Sequence, residues 1–290
     1  MPEPGTILIT GAGGFIGGAL TEHYRTRGWK VLALVRTVPK EKPEGVSYHQ
    51  FELRRPIETT LLEGVDVLVH AAYVRSEHAH DAFRVNVGAA ETLLGAATRE
   101  RVRRLIFVSS LSARPDARTV YGRQKHAIEQ LFLAAGQTVI RAGLVIGGGG
   151  VAEEMRRYLR GRVLIPVVGG GDQPVQSVGI EDLIKAFDAV IDQDLAGLLT
   201  VAEAEPVTLR EFLVALAAAS GARARPVSVP HWVVEAGLSL ASLTGLPVPI
   251  ARDSLLGLRD MRVAEVRPSL ERLGIDVRPF WASLRALGDP

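Results

Sequence analysis

Tyr121 and Lys125 stand four residues apart in Thr119-Val120-Tyr121-Gly122-Arg123-Gln124-Lys125, which reads as a helix start running on to about Ala135. On a helix that spacing places both side chains on one face, so both can point into one cleft. A phenol titrates near ~10, so a tyrosine that exchanges protons at neutral pH needs its pKa lowered by about three units, on the order of 4 kcal/mol. A neighbouring ammonium favours phenolate and supplies part of that. Upstream, Arg104-Leu105-Ile106-Phe107-Val108-Ser109-Ser110 reads as a buried strand, and the carboxyl ends of parallel strands are where ligands bind in doubly wound sheets. A hydroxyl at Ser110 is placed to hydrogen-bond a reacting oxygen and hold it near Tyr121. The chemistry these three side chains suit is proton transfer to and from an oxygen on carbon.

The elements that must position them begin at the N-terminus. Thr6 to Leu20 reads as an apolar strand, a glycine turn and a helix start. Gly11 suits the tight turn, Gly14 lets backbone N–H groups approach a pyrophosphate, and Gly17 lets the helix pack on the strand. The anion then sits at a helix N-terminus, where unpaired N–H groups and the dipole favour negative charge. A dinucleotide bound there brings a nicotinamide ring whose oxidised, positive form also stabilises a phenolate at Tyr121. The second strand, Lys30 to Val35, ends at Arg36 where an acid would accept from a ribose 2′-hydroxyl; an arginine suits a 2′-phosphate. NADP(H) is therefore expected ahead of NAD(H).

Further strands are expected over Val46 to Phe51, Val65 to His70 and Thr138 to Leu144, with a long helix from about Asp81 to Arg101 carrying Asn86. Ala71-Ala72 after His70 are small enough for a cofactor to lie against the backbone. Gly147 to Gly150 reads as a mobile loop and Gly169 to Asp172 as a turn. Helices are expected over Ile180 to Asp192 and Thr208 to Ser220, with an edge strand from Leu198 to Ala202 between them. The apolar run from His231 to Leu246 reads as a lid or lobe helix packed over the cleft; an interfacial membrane helix or a dimer face is the alternative, and its lack of lysines and arginines disfavours the membrane one. Phe280 and Trp281 read as core.

The 290 residues suffice for a sizeable core, and the 47% apolar fraction fits a globular protein. No run reaches the ~18 uncharged apolar residues of a membrane span. Met1-Pro2-Glu3-Pro4 leads directly into the first strand, so neither a signal peptide nor a membrane partner is expected. Cysteine is absent, which excludes disulfides, thiolate metal sites and a cysteine nucleophile and suits a reducing compartment; a cytoplasmic protein is expected. The net charge of +2 is small, and the basic run Arg99 to Arg104 lacks interleaved aromatics, so no nucleic-acid partner is expected. His78 and His80 lack companion carboxylates at zinc-site spacing, so no metal is expected.

In sum and order, Gly11-x-x-Gly14-x-x-Gly17, Ala71-Ala72, Asn86, Ser109-Ser110 and Tyr121-x-x-x-Lys125 resemble the short-chain dehydrogenase/reductase family. The spelling Gly14-Phe15-Ile16-Gly17 is similar to its extended or atypical branch, the NAD(P)-dependent epimerase/dehydratase group. The resemblance covers nearly the whole chain. It implies a Rossmann-type α/β fold: a doubly wound parallel sheet over residues 1–146 and a smaller substrate-binding lobe over 147–290, interleaved with the sheet. It implies an enzyme with Ser110, Tyr121 and Lys125 as the catalytic group and Asn86 supporting the adjoining helix. Gly11, Gly14, Phe15, Ile16, Gly17, Arg36, Ala71 and Ala72 would bind the cofactor, Glu52 and Leu53 would lie beside the adenine, and Lys125 and Tyr121 would meet the nicotinamide ribose. A homodimer through a helical face is a further family expectation. The phosphate-binding residues of nucleotide-sugar members are absent from Arg141-Ala142-Gly143-Leu144 and Val175-Gln176-Ser177-Val178-Gly179. The favoured activity is hydride transfer between nicotinamide and a secondary alcohol or ketone on a small organic molecule. The alternatives are a sugar or sugar-nucleotide epimerase/dehydratase, or a non-catalytic NAD(P)-binding sensor or assembly protein.

Overall fold

The computed structural model describes residues 4–74, 79–222, 225–230, 232–233, 256–257 and 259–286. The first half runs β1 (Thr6–Thr10), α1 (Phe15–Thr26), β2 (Lys30–Val35), β3 (Val46–Gln50), β4 (Val67–His70), α2 (Ala79–Arg99), β5 (Arg104–Ser110), α3 (Val120–Ala134) and β6 (Thr138–Ala142), with no α-helix among the described residues between β2, β3 and β4. Then follow β7 (Leu144–Ile146), α4 (Gly150–Leu159), β8 (Leu164–Val168), β9 (Pro174–Val175), β10 (Ser177–Gly179), α5 (Ile180–Asp192), β11 (Gly197–Val201), β12 (Val207–Thr208), α6 (Leu209–Ala218), β13 (Arg225–Val229), α7 (Arg267–Leu273) and α8 (Phe280–Arg285).

Seven strands make one parallel sheet in the order β3-β2-β1-β4-β5-β6-β11. Both faces are covered, which is why β2 is apolar after Lys30 and buried from Val31 to Val35. Alternate residues feed opposite cores: Ile7, Ile9 and Val31 pack with Phe187 of α5, whereas Leu8, Leu34 and Leu68 pack with Phe107 and Phe132 of α3. Strand order reverses between β1 and β4, and that switch point is where a crevice opens at the carboxyl ends. A third core of Ile146, Leu159, Val167, Phe212, Leu216 and Phe280 holds the later elements together. The later half also supplies α5 and β11 to the main sheet, so the two halves interleave.

Three local expectations need correction. The sixth strand stops at Ala142. At Gly143 a Cβ would meet the Gln176 carbonyl oxygen at 2.6 Å, and beyond it the chain leaves the main sheet to pair β7 with β10. The glycine run is not a loose loop: Gly149 caps α4 and Gly150 begins it. Three of its glycines lie against the Phe15 side chain, which a Cβ would meet at 2.4 Å on Gly147, 2.8 Å on Gly149 and 2.9 Å on Gly150. Finally, Phe280 is core and stacks on Phe212 at 4.9 Å, but its neighbour Trp281 is 48% exposed, because successive residues of α8 face different directions. The lid expectation for His231 to Leu246 lies outside the described residues, apart from the exposed Trp232 and Val233.

Candidate active site

The glycine turn sits at the switch point, and contacts dictate its composition. Gly11 adopts φ +72°, and a Cβ on it would strike the Ala72 nitrogen at 2.7 Å and the Ala71 carbonyl carbon at 2.9 Å. The turn after β1 and the chain after β4 therefore approach too closely for a side chain at position 11. At Gly17 a Cβ would lie 2.3 Å from the Gly11 carbonyl oxygen, so only glycine lets α1 close onto the turn. Gly14 is the exposed N-cap of α1; the helix has no side-chain cap and no acid in its first turn. Its first N–H groups and positive dipole end are left for an anion, which is the chemistry a pyrophosphate fits. Ile16 is half-buried in the same first turn. Val35 faces Gly13, and the exposed Arg36 follows it, beside the turn. Glu52 is exposed after β3, and Leu53 lines a cleft of about 360 Å³ with Arg54, Arg55 and, from α2, Arg84 and Gly88.

One sheet position away, β5 ends at Ser110, whose Oγ accepts from the Ser112 N–H at 3.2 Å. The following loop returns to α3 in close contact: a Cβ on Gly122 would lie 2.4 Å from the Ser112 carbonyl oxygen. Thr119 caps the helix, accepting from the Gly122 N–H at 3.0 Å. This packing fixes the start of α3, and with it Tyr121, next to the end of β5.

Lys125 is buried. Its Nζ donates to the Val108 carbonyl oxygen at 2.8 Å and lies 4.7 Å from the Phe107 ring centroid, 5.1 Å from that of Tyr73 and 5.8 Å from that of Tyr121. Burial pulls its pKa down to about 7, with the Glu129 carboxylate acting in the opposite direction. Glu129, one turn along α3 and fully buried, accepts from Ser109 Oγ at 2.6 Å and takes a bidentate pair from Arg141 at 2.7 and 2.6 Å. His70, also buried, pairs through Nδ1 with Thr10 Oγ1 at 2.8 Å; desolvation first, then the Lys125 charge, lowers its pKa to about 3.

Asn86 lies one layer behind. Its Oδ1 accepts from the Val74 N–H at 2.9 Å and its Nδ2 donates to the Val74 carbonyl at 3.0 Å and to Gln124 Oε1 at 3.1 Å. It positions the segment after β4 against α3. Sequence reasoning missed Tyr73, which stands edge-on to Tyr121 at 5.1 Å and donates to Gln124 Oε1 at 2.6 Å. It missed Glu129 and Arg141 as well; the i+4 spacing from Lys125 to Glu129 was the available signal.

A seven-stranded parallel sheet with a bare helix N-terminus at its switch point and a serine, tyrosine and lysine beside it defines a dinucleotide-binding α/β protein of the short-chain dehydrogenase type. The chain belongs to the NAD dependent epimerase/dehydratase family, which it matches over residues 7–199. It is 28% identical over 287 residues to the 4-hydroxy-2-methyl-3-oxo-4-farnesyl-3,4-dihydroquinoline-1-oxide ketoreductase of Stigmatella aurantiaca, covering 87% of this chain and 84% of that one. The ceramide reductase of Caulobacter vibrioides is 27% identical over 257 residues, covering 84% and 80%. An uncharacterized Mycobacterium tuberculosis protein is 26% identical over 220 residues; the match takes in 72% of this chain but only 23% of that longer one. Among solved structures, MoeE5 in complex with UDP-glucuronic acid and NAD superposes with a TM-score of 0.76 at 22% identity, covering 98% and 97% of the two chains. The two chains share one fold. No helix among the described residues is long and apolar enough to cross a membrane, and none of their His, Asp and Glu clusters could hold a metal ion.

Proposed function

We propose that this chain is an NADP(H)-dependent reductase that interconverts a ketone and a secondary alcohol on a lipophilic small molecule. The observation that carries the reading is the buried Lys125 ammonium on one helix face with Tyr121, beside the Ser110-ended strand. The names of the two reductase relatives support a ketone on an apolar scaffold.

Gly14 and the first turn of α1 would hold the pyrophosphate, Arg36 the 2′-phosphate, and Lys125 the nicotinamide ribose. When bound, the reduced nicotinamide supplies a hydride from C4 to the carbonyl carbon and is left oxidised. Ser110 Oγ donates a hydrogen bond to the carbonyl oxygen and orients it. Tyr121 gives its phenolic proton to that oxygen as negative charge develops, which yields the alcohol and a phenolate. Lys125, held by the Val108 carbonyl, stabilises the phenolate until a proton from solvent restores it. In alcohol oxidation each proton moves the other way.

Fluorescence titration of nucleotide-free protein with NADPH and NADH, with Arg36→Ala alongside, tests the cofactor assignment. The expected result is an NADPH preference of tenfold or more, lost in the variant while NADH affinity holds, as for removal of one charged contact of about 1.4 kcal/mol. Tighter NADH binding by the unaltered chain would overturn the role of Arg36 and favour the epimerase/dehydratase reading.

A further inference from the structure

The lobe carries a one-signed, apolar surface that the proposed reaction does not use. From Met155 to Gly171 the sequence contains Arg156, Arg157, Arg160 and Arg162 and no acid; from Phe212 to Val234 it contains Arg223 and Arg225 and again no acid. These stretches are far apart in the chain, yet β8 and β13 pair in parallel, with Leu164 opposite Arg225 and Pro166 opposite Val227. Side chains alternate across such a ribbon. Ile165 and Val167 enter the lobe core, so Leu164, Pro166, Arg225 and Val227 share the outward face.

That face is apolar where apolar groups are costly to expose. Val163 is 72% exposed, Leu164 56% and Val227 44%. Around them stand the exposed guanidinium groups of Arg160, Arg162 and Arg225. Arg162 lies over the Tyr158 ring, 4.0 Å from its centroid, and donates to the Tyr158 carbonyl. Arg160 and Arg225 form no side-chain ion pair with the described residues. Of the two acids of α4, Glu153 is buried and already engaged by Arg156 and Arg157, at 2.5 and 3.0 Å, and the exposed Glu154 precedes the arginine-bearing stretch. Within the two stretches themselves there is no carboxylate to neutralise the patch. A contiguous apolar patch rimmed by cations of one sign complements a surface with an apolar interior and an anionic face.

We propose that the outward face of the β8–β13 ribbon docks the protein on anionic lipid bilayers, with Val163, Leu164 and Val227 entering the headgroup boundary and Arg160, Arg162 and Arg225 meeting lipid phosphates. This is peripheral binding and needs no spanning helix. It departs from the sequence expectation of no membrane partner, which considered spans and the 231–246 run but not the pairing of these two arginine-bearing stretches.

Co-sedimentation of the full chain with vesicles of phosphatidylcholine, with and without about one-third phosphatidylglycerol, tests the proposal. The expected result is binding to the anionic vesicles, little to the neutral ones, and release as salt shortens the screening length. Arg160→Gln with Arg225→Gln, both fully solvated positions where folding is not at risk, should weaken binding at least tenfold, at about fivefold per arginine. Leu164→Glu should abolish it. Equal binding by the arginine variant, or no binding to anionic vesicles, would overturn the proposal. So would concentration-dependent self-association that Leu164→Glu abolishes without any vesicle binding, which would assign the face to a second copy.

Discussion

Lys125 carries the charge on which the proposed proton transfer depends, and its setting is tuned in both directions: burial disfavours the ammonium and outweighs the Glu129 carboxylate, which favours it, leaving a pKa of about 7. Tyr121→Phe keeps the ring and its contact with Tyr73 but removes the proton, so turnover should fall by about 10²–10⁴-fold with cofactor affinity unchanged. Steady-state rates with a nucleotide titration check this. His70 gives a separate, pH-dependent prediction. Its folded pKa of about 3 lies below the ordinary imidazole value, so the unfolded chain binds the extra proton between roughly pH 6.5 and 3. The stability it confers is present above that window and is lost as pH falls through it, on the order of 4 kcal/mol in all. Urea melts at pH 7 and pH 4.5 should show a steeper acid loss for the unaltered protein than for His70→Asn. At this scale the placement of Ser110 at the end of a strand and of Tyr121 and Lys125 on one helix was legible, because spacing and an apolar strand carry that signal. Tyr73, Gln124 and Arg141 were not, since each acts through a contact made only when separate elements meet.

Elements are positioned here by close backbone approaches. Gly122→Ala would press a methyl group against the Ser112 carbonyl and the Ala117 side chain, a cost of about 1–3 kcal/mol, and would push the β5–α3 loop away from Tyr121. Thermal melting should move down and kcat should fall together. Glu129→Gln should be more damaging to stability, because it leaves Arg141 without its bidentate partner and Ser109 without a charged acceptor; a loss of about 3–5 kcal/mol is expected in denaturant unfolding. The seven strands of the main sheet and the helices α1, α2, α3, α5 and α6 could be read from buried runs and periodicity. The break at Gly143 and the start of α4 at Gly150 could not, because their causes lie elsewhere in the chain: the Gln176 carbonyl for one and the Phe15 ring for the other. A glycine run spells flexibility in isolation and close packing once its neighbour is known.

Across the whole molecule, the two halves are tied at the cleft by the segment after residue 258. Asp260 accepts from the Arg118 N–H at 3.1 Å and pairs with Arg114 at 2.7 Å, bridging the β5–α3 loop to the C-terminal region. Within the later half, Glu203 ties β10 to α8, accepting from Ser177 and from the Phe280 N–H at 2.9 Å. Asp260→Asn should lower stability by about 1.5–3 kcal/mol and reduce kcat/KM while leaving cofactor affinity intact, measurable by melting and steady-state kinetics. The doubly wound sheet was legible because buried apolar strands recur in order, with helical patterns after the first, fourth and fifth of them. The lobe was less so, since its two-stranded ribbons pair segments that no local pattern links. The central claim, that Tyr121 and its neighbours serve net hydride transfer to a ketone, is tested most directly with NADPH deuterated at C4 and a panel of lipophilic ketones, followed by mass analysis of the products. Deuterium on the carbinol carbon, formed by the unaltered chain and not by Tyr121→Phe, is the predicted result; cofactor binding with no label in any product, or equal labelling by the variant, would contradict it.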